Sequence, residues 1–283
     1  MRRLLPAAVV WASMLVGCSG DDAATVGRSP GATATSGTPT TTTAPPRALD
    51  SAAAVAAEVD RTETAIRNPS TAEADLQALG RAQQLAYLAL DEHPEWDAEV
   101  SALVSPALRP VVAANVAAGR AIKRLNGPIE DGRPLPRWRI VAPEPAADLL
   151  AHYRGAGQAS GVPWPYLAAI HLVETRMGRI QGDSVAGAQG PMQFIPTTWA
   201  IYGQGGDIRD TRDAIYAAGR LLRANGAPSN MARALRAYNN DARYVQAVTA
   251  YTEQIQADER AYLGYHGWQV FFGPLLLPEG WVG

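Results

Sequence analysis

The chain has one cysteine, Cys18, among its 283 residues. That excludes an internal disulfide framework, a cysteine-based structural zinc site and a redox cysteine pair. Lysine is as scarce. Lys123 is the only one, and no GxxxxGK[ST] string occurs, so a Walker-type phosphate loop and a Schiff-base lysine elsewhere are excluded. The four histidines, His93, His152, His171 and His266, are scattered without metal-ligand spacing, so no metal is expected. Neither sign of charge dominates: 25 basic against 27 acidic residues leave a net charge of −2. A general nucleic-acid binder needs a basic excess to neutralise phosphates, so no nucleic-acid partner is expected. What is present suits a soluble globular body with a real core, since 47% of residues are hydrophobic and 18% charged. The length fits one large domain or two ordinary ones.

Residues 1–18 read as an address. Arg2 and Arg3 precede Leu4–Val16, an apolar stretch too short to span a bilayer and the right length for a signal-peptide core. Leu15-Val16-Gly17-Cys18 puts small residues before the sole cysteine and resembles the lipobox of bacterial lipoproteins. The resemblance implies cleavage before Cys18 and acylation of its sulfur and new amino terminus. It also implies a lipid anchor to the outer side of the cytoplasmic membrane, in the cell envelope. An ordinary signal peptide with an incidental cysteine is the alternative. Stable anchoring takes more than one acyl chain, and lipoproteins carry several. Residues 19–47 are rich in Thr, Pro, Ser, Ala and Gly and cannot bury enough apolar surface to fold. Such a tether spans roughly 30 Å root-mean-square.

The remainder reads as all-α. In a helical N-terminal region and connector, 48–146, Ala48–Ile66 is Ala-rich, and Ser70 with Glu73 makes an S-x-x-E capping box. Leu76, Leu79, Leu85, Leu88 and Leu90 continue an amphipathic run. Glu95–Leu125 is predicted to break or kink at Pro106 and Pro110, and 127–146 is a Pro/Gly-rich connector. Nothing in this half looks catalytic. In 147–283, helices are predicted over Ala147–Ala159, Tyr166–Met177, Gln193–Tyr202, Asp210–Ala224, Ser229–Tyr238 and Ala242–Asp258. A tail, Gly267–Gly283, holds at most short extended pieces.

One glutamate stands out. The run from Leu167 to Met177 is apolar nearly all round, and Glu174 falls on the stripe of Leu167, Ile170 and His171. A carboxylate there is costly unless paired or protonated. Burial raises its pKa, which is what a general acid needs near neutral pH. The alternative is a glutamate at an exposed helix end, salt-bridged to an arginine.

Around Glu174 a longer pattern appears. Glu174-Thr175-Arg176-Met177-Gly178 is followed by Ala186-Gly187-Ala188-Gln189-Gly190-Pro191-Met192-Gln193-Phe194-Ile195-Pro196-Thr197-Thr198-Trp199. Later comes Ala237-Tyr238-Asn239-Asn240, with Tyr244-Val245 close behind. The order resembles the lysozyme-like catalytic domain of bacterial lytic murein transglycosylases over about residues 147–262. E-T-R-x-G and Y-N-N-D-x-x-Y-V lean towards the branch typified by membrane-bound transglycosylase B. Two departures from the commonest pattern are Thr175, where many members have Ser after the glutamate, and Asn240-Asp241, where the soluble branch has Ala-Gly.

The resemblance implies that Glu174 is the catalytic acid/base. It makes Gln193 and Tyr238 cleft-lining hydrogen-bond partners of Glu174 or of a sugar N-acetyl group, and Asn239 the adjoining polar position. Met192 and Phe194 would line the cleft, with plain core packing the alternative. The implied substrate is the peptidoglycan glycan strand, cut between N-acetylmuramic acid and N-acetylglucosamine without cofactor, leaving 1,6-anhydro ends. Two other readings stay open. One is a hydrolytic muramidase using a second carboxylate, with Asp183 the first candidate and Asp207 the next. The other is a lipoprotein that binds peptidoglycan without cutting it.

Overall fold

The computed structural model describes residues 48–128 and 134–283. The expectations for residues 1–47, Cys18 included, lie outside the described residues. Among the described residues no helix is long and apolar enough to cross a membrane.

Helix α1, Ala52–Arg67, opens on Ser51, whose hydroxyl accepts from Ala54 N at 3.3 Å. Helix α2 spans Glu73–Glu92. The capping box predicted there does not form. The N-cap is Ala72, without a side-chain bond, while Ser70 N donates to Asn68 Oδ1 in the turn that closes α1. Glu73 and Asp75 in the first turn supply the favourable charge instead. The predicted break is at Pro106: α3, Asp97–Leu103, stops before a 3₁₀ turn at Pro106–Leu108, and α4 runs Arg109–Asn126. Pro110 sits in the first turn of α4, where its missing N–H costs nothing.

The connector is more ordered than expected. Its residues Arg139–Ile140 form strand β1. Helix α5, Ala146–Ser160, ends at left-handed Gly161. Helix α6 covers Trp164–Thr175 with Pro165 in its first turn. Strand β2, Ile180–Gln181, pairs antiparallel with β1, Arg139 opposite Gln181 and Ile140 opposite Ile180. Arg139 also bridges to Val282, and Ile140 N donates to Trp281 O at 2.9 Å, so the tail flanks β1 on its other side.

Helices α7 (Pro196–Tyr202), α8 (Thr211–Ala224), α9 (Met231–Tyr238) and α10 (Ala242–Ala257) follow. Asp210, Asn230 and Asp241 cap the last three through their side chains. A short α11, Ala261–His266, which the sequence pattern did not reveal, leads to the hairpin β3 (Val270–Phe272) and β4 (Leu275–Leu277). The body is mostly helical, as predicted, with two small ladders added.

One apolar core runs from Ala52 to Trp268 and takes side chains from both halves. Helix α4 packs along α10, α2 against α11, α5 against α6 and α8, and α10 against α6. Helix α6 is therefore enclosed: nine of its 12 residues are buried. At roughly 1.5–3 kcal/mol per large buried aliphatic side chain, Leu167, Ile170 and Leu172 fix it firmly in place. Ile140, Val270 and Leu277 make a second cluster under the small ladders.

Candidate active site

Glu174 lies one residue before the end of α6, on the same buried stripe as Leu167, Ile170 and His171. Only 2% of it is exposed. Neither nearby arginine neutralises it. Arg176 donates to Leu172 O and lies over the Trp268 ring, while Arg179 pairs with Glu279 and donates to His266 O. Among the described residues the hydrogen bond to the carboxyl comes from Tyr244, whose hydroxyl donates to Oε1 at 2.7 Å. Burial pushes the Glu174 carboxyl up to about 8, against a small downward pull from that bond. His171, three residues earlier, moves the other way. Burial pulls it down to about 3, and its Nδ1 meets the Tyr153 hydroxyl at 2.7 Å. At neutral pH the stripe therefore carries a neutral acid and a neutral imidazole.

Helix α6 stops at Thr175 because Arg176 and Met177 both take positive φ, 54° and 57°. Thr175 then ties the helix end to the glycine-rich loop. Its hydroxyl donates to Pro191 O at 2.6 Å and accepts from Gly178 N at 3.1 Å. The loop closes on itself through Gln189 and Phe194, which exchange both backbone bonds at 2.9 Å. Gly190 has φ +72°, and a Cβ there would meet Ile208 O at 1.8 Å, so only glycine fits.

Gln193 is not in a helix, contrary to the expected start of α7. It holds φ +48°, a left-handed conformation that a non-glycine residue adopts at a cost. Its Nε2 donates to Gly190 O at 2.9 Å and to Gly182 O at 3.3 Å. The amide is thus committed to the loop and does not bond Glu174.

Tyr238 does not bond Glu174 either. Its hydroxyl donates to Met192 O at 2.6 Å, which fastens α9 to the loop. Its ring lies parallel to that of Tyr244, with centroids 6.3 Å apart and 5° between planes. Burial and the Glu174 charge raise the pKa of both tyrosines, so both stay protonated. The partner of Glu174 is thus Tyr244. The sequence offered one signal for it: the second tyrosine of the Y-N-N-D-x-x-Y string. Asn239 is buried beside Tyr238, and its Oδ1 accepts from Asp241 N at 3.1 Å. Met192 and Phe194 lie in the core. Met192 is fully buried, and Phe194 sets its edge against Trp199 and Tyr238.

The structure brings Glu174, Thr175, Met192, Tyr238 and Tyr244 together through these bonds and ring contacts. Asp183 and Asp207 both engage Arg209. Asp183 pairs with Arg209 at 3.2 Å, with both side chains about half exposed, and Asp207 accepts from Arg209 N. Among the described residues no group of His, Cys, Asp and Glu is placed to hold a metal ion. Two concavities lie on other faces. One of about 340 Å³ adjoins Gly203–Gly206 and Arg212. Another of about 430 Å³ lies along α4 between Arg109 and Arg124.

Comparison of the chain with family models, curated proteins and solved structures returned no match.

Proposed function

We propose that this chain is a peptidoglycan lytic transglycosylase with a lysozyme-like catalytic body. It cleaves the β-1,4 bond between N-acetylmuramic acid and N-acetylglucosamine with Glu174 as single acid/base. The observation that carries this reading is the state of Glu174: a buried carboxyl that, among the described residues, has a tyrosine donor and no cation, and is protonated at neutral pH. A structural glutamate gains nothing from that arrangement, whereas a proton donor requires it.

Tyr244 occupies Oε1, so Oε2 holds the proton. That proton passes to the glycosidic oxygen as the muramic C1–O bond breaks, leaving N-acetylglucosamine with a free hydroxyl and C1 cationic. The muramic N-acetyl oxygen stabilises the cation, as in substrate-assisted glycosidases. Glu174, now a carboxylate held by the Tyr244 hydroxyl, takes the proton from the muramic C6 hydroxyl. O6 closes on C1 and forms the 1,6-anhydro ring. The nucleophile belongs to the substrate and is already held at high effective concentration. Gln193, Asn239, Met192 and Phe194 are buried, so they support the site from behind and do not line the sugar path. Cys18 carries the lipid anchor that holds the body in the cell envelope beside its substrate.

The test is mass spectrometry of the products from purified sacculi. Wild-type protein is expected to release 1,6-anhydromuramic ends, and Glu174→Gln to release none. Reducing muramic ends would make the enzyme a hydrolase. No release by the wild type, with binding retained, would make it a binding lipoprotein.

A further inference from the structure

Tyr244, the hydrogen-bond donor to Glu174 among the described residues, is the third residue of α10. First turns lack inward partners for their N–H groups and fray readily. A hydroxyl that must sit 2.7 Å from Oε1 is therefore carried on the least secure part of its helix unless something fastens that turn.

Arg243, the preceding residue, does so. Its Nε and Nη2 hold the α10 N-cap Asp241 in a fork, at 2.9 and 2.5 Å, while Asp241 Oδ1 also accepts from Arg243 N at 2.7 Å. The third nitrogen, Nη1, donates to Arg124 O at 2.7 Å. Arg124 lies in the last turn of α4, where carbonyls have no partner within the helix. One guanidinium thus caps the end of α4 and clamps the start of α10. The planar fork explains the choice of arginine, since three bonds in different directions need its fixed geometry. Asp241 in turn accepts nothing from α4 directly. Its N donates to Asn239 Oδ1, which continues the chain back to the end of α9.

From this geometry we infer that Arg243 is a positioning residue for the acid/base: it sets the reach of Tyr244 to Glu174 by fastening α10 to α4. The N-terminal helices, which share no motif with the catalytic segment, thereby become part of the catalytic frame. This inference rests on the reading of Glu174 as the acid/base. The ion pair itself is about half exposed on the arginine side, so it adds little to overall stability. That separates positioning from a structural role.

The experiment is a titration of the Glu174 carboxyl carbon by NMR in protein labelled at glutamate, alongside kcat and KM on purified glycan strands. The groups facing Glu174 are Tyr244 from α10 and Tyr238 from α9, both protonated across the range. Loss of the Tyr244 bond raises the Glu174 midpoint, because that bond favours the carboxylate. Arg243→Ala is expected to raise the midpoint in the same direction as Tyr244→Phe and to lower kcat about tenfold with KM unchanged. Its melting temperature is expected to stay near that of the wild type. Arg243→Lys, which keeps the charge for Asp241 but loses the three-way fork, is expected to recover only part of both readouts. A folded Arg243→Ala protein with an unmoved Glu174 midpoint overturns the inference. If the wild type leaves the glycan uncut, the transglycosylase reading fails, while the midpoint still tests the link from Arg243 to Glu174.

Discussion

Glu63 and Glu174 are both buried glutamates on helices, one in each half of the same core. Glu63 on α1 is fully enclosed, yet its carboxylate is paired with Arg67 and accepts from the Tyr87 hydroxyl. The Tyr87 oxygen accepts from Asn115 Nδ2 at 3.2 Å, and Asn115 Oδ1 accepts from Tyr265 at 2.7 Å. That network joins α1, α2, α4 and α11. Among the described residues Glu174 has one tyrosine and no cation. The first site neutralises a charge in order to hold helices together. The second denies its carboxyl any charge partner and so keeps it protonated. Burial is common to both glutamates; what distinguishes them is compensation by a cation.

The sharpest way to break this comparison is the same substitution at both sites. Glu174→Gln is expected to lower glycan cleavage by about 10³-fold, the order of general acid catalysis. The amide keeps the shape and the Tyr244 bond. Its stability relative to wild type depends on pH. The folded value of about 8 lies above the ordinary 4.5, so below 4.5 both states are protonated and ionisation costs nothing. Between 4.5 and about 8 the folded chain keeps a proton that the unfolded chain has lost, and wild-type stability falls. By alkaline pH the Gln variant is expected to lead by a few kcal/mol, measured by denaturant titration at several pH values. Glu63→Gln should do the reverse. It leaves Asp258 at 3.8 Å as the carboxylate near Arg67, so a loss of about 3 kcal/mol is expected with cleavage per folded molecule unchanged. A Glu63 variant that folds normally but cannot cut glycan would erase the distinction.

The same contrast shows what the sequence could and could not say. The placement of Glu174 on an apolar stripe was legible, because helical periodicity alone puts it beside Leu167, Ile170 and His171. The helix breaks at Pro106 and Gly161 were legible too, since proline and left-handed glycine act locally. The Ser70 box failed because Asn68 competes for the Ser70 N–H in the turn. The partner of Glu174 was hidden for another reason. Tyr244 is 70 residues away, and only the packing of α10 on α6 brings it in. Tyr238, the tyrosine that the resemblance had implied as a partner, turns to Met192 O instead. The pairing of β1 with β2 was equally unreadable, because two-residue strands carry no period.

A smaller effect sharpens the role of that tyrosine. Tyr244→Phe removes one donor from the carboxyl and leaves the ring stacked on Tyr238. Cleavage is expected to fall about tenfold, and the alkaline limb of the pH–rate profile, which reports the acid, is expected to move up. Tyr238→Phe, by comparison, strands Met192 O in the core. It is expected to cost about 1–2 kcal/mol of stability while leaving that limb in place.

The smallest expected effect decides the number of carboxylates. A hydrolase of this kind needs a second acid about 5–9 Å from the first, either as nucleophile or to activate water. Asp183 is the residue whose loop position made it a candidate, yet it spends its charge on Arg209 in an exposed pair. Such pairs contribute about 0–1 kcal/mol, so Asp183→Asn should change stability little. If Glu174 acts alone, the variant should also cut at near the wild-type rate and release the same 1,6-anhydro ends, read by mass spectrometry. In the proposed reaction the muramic C6 hydroxyl would need no second carboxylate, because Glu174 would itself be the base once it had given up its proton. Loss of cleavage on Asp183→Asn, with reducing ends among the wild-type products, would place a second acid in the reaction. The uncompensated burial of Glu174 would then mark only half of the catalytic pair.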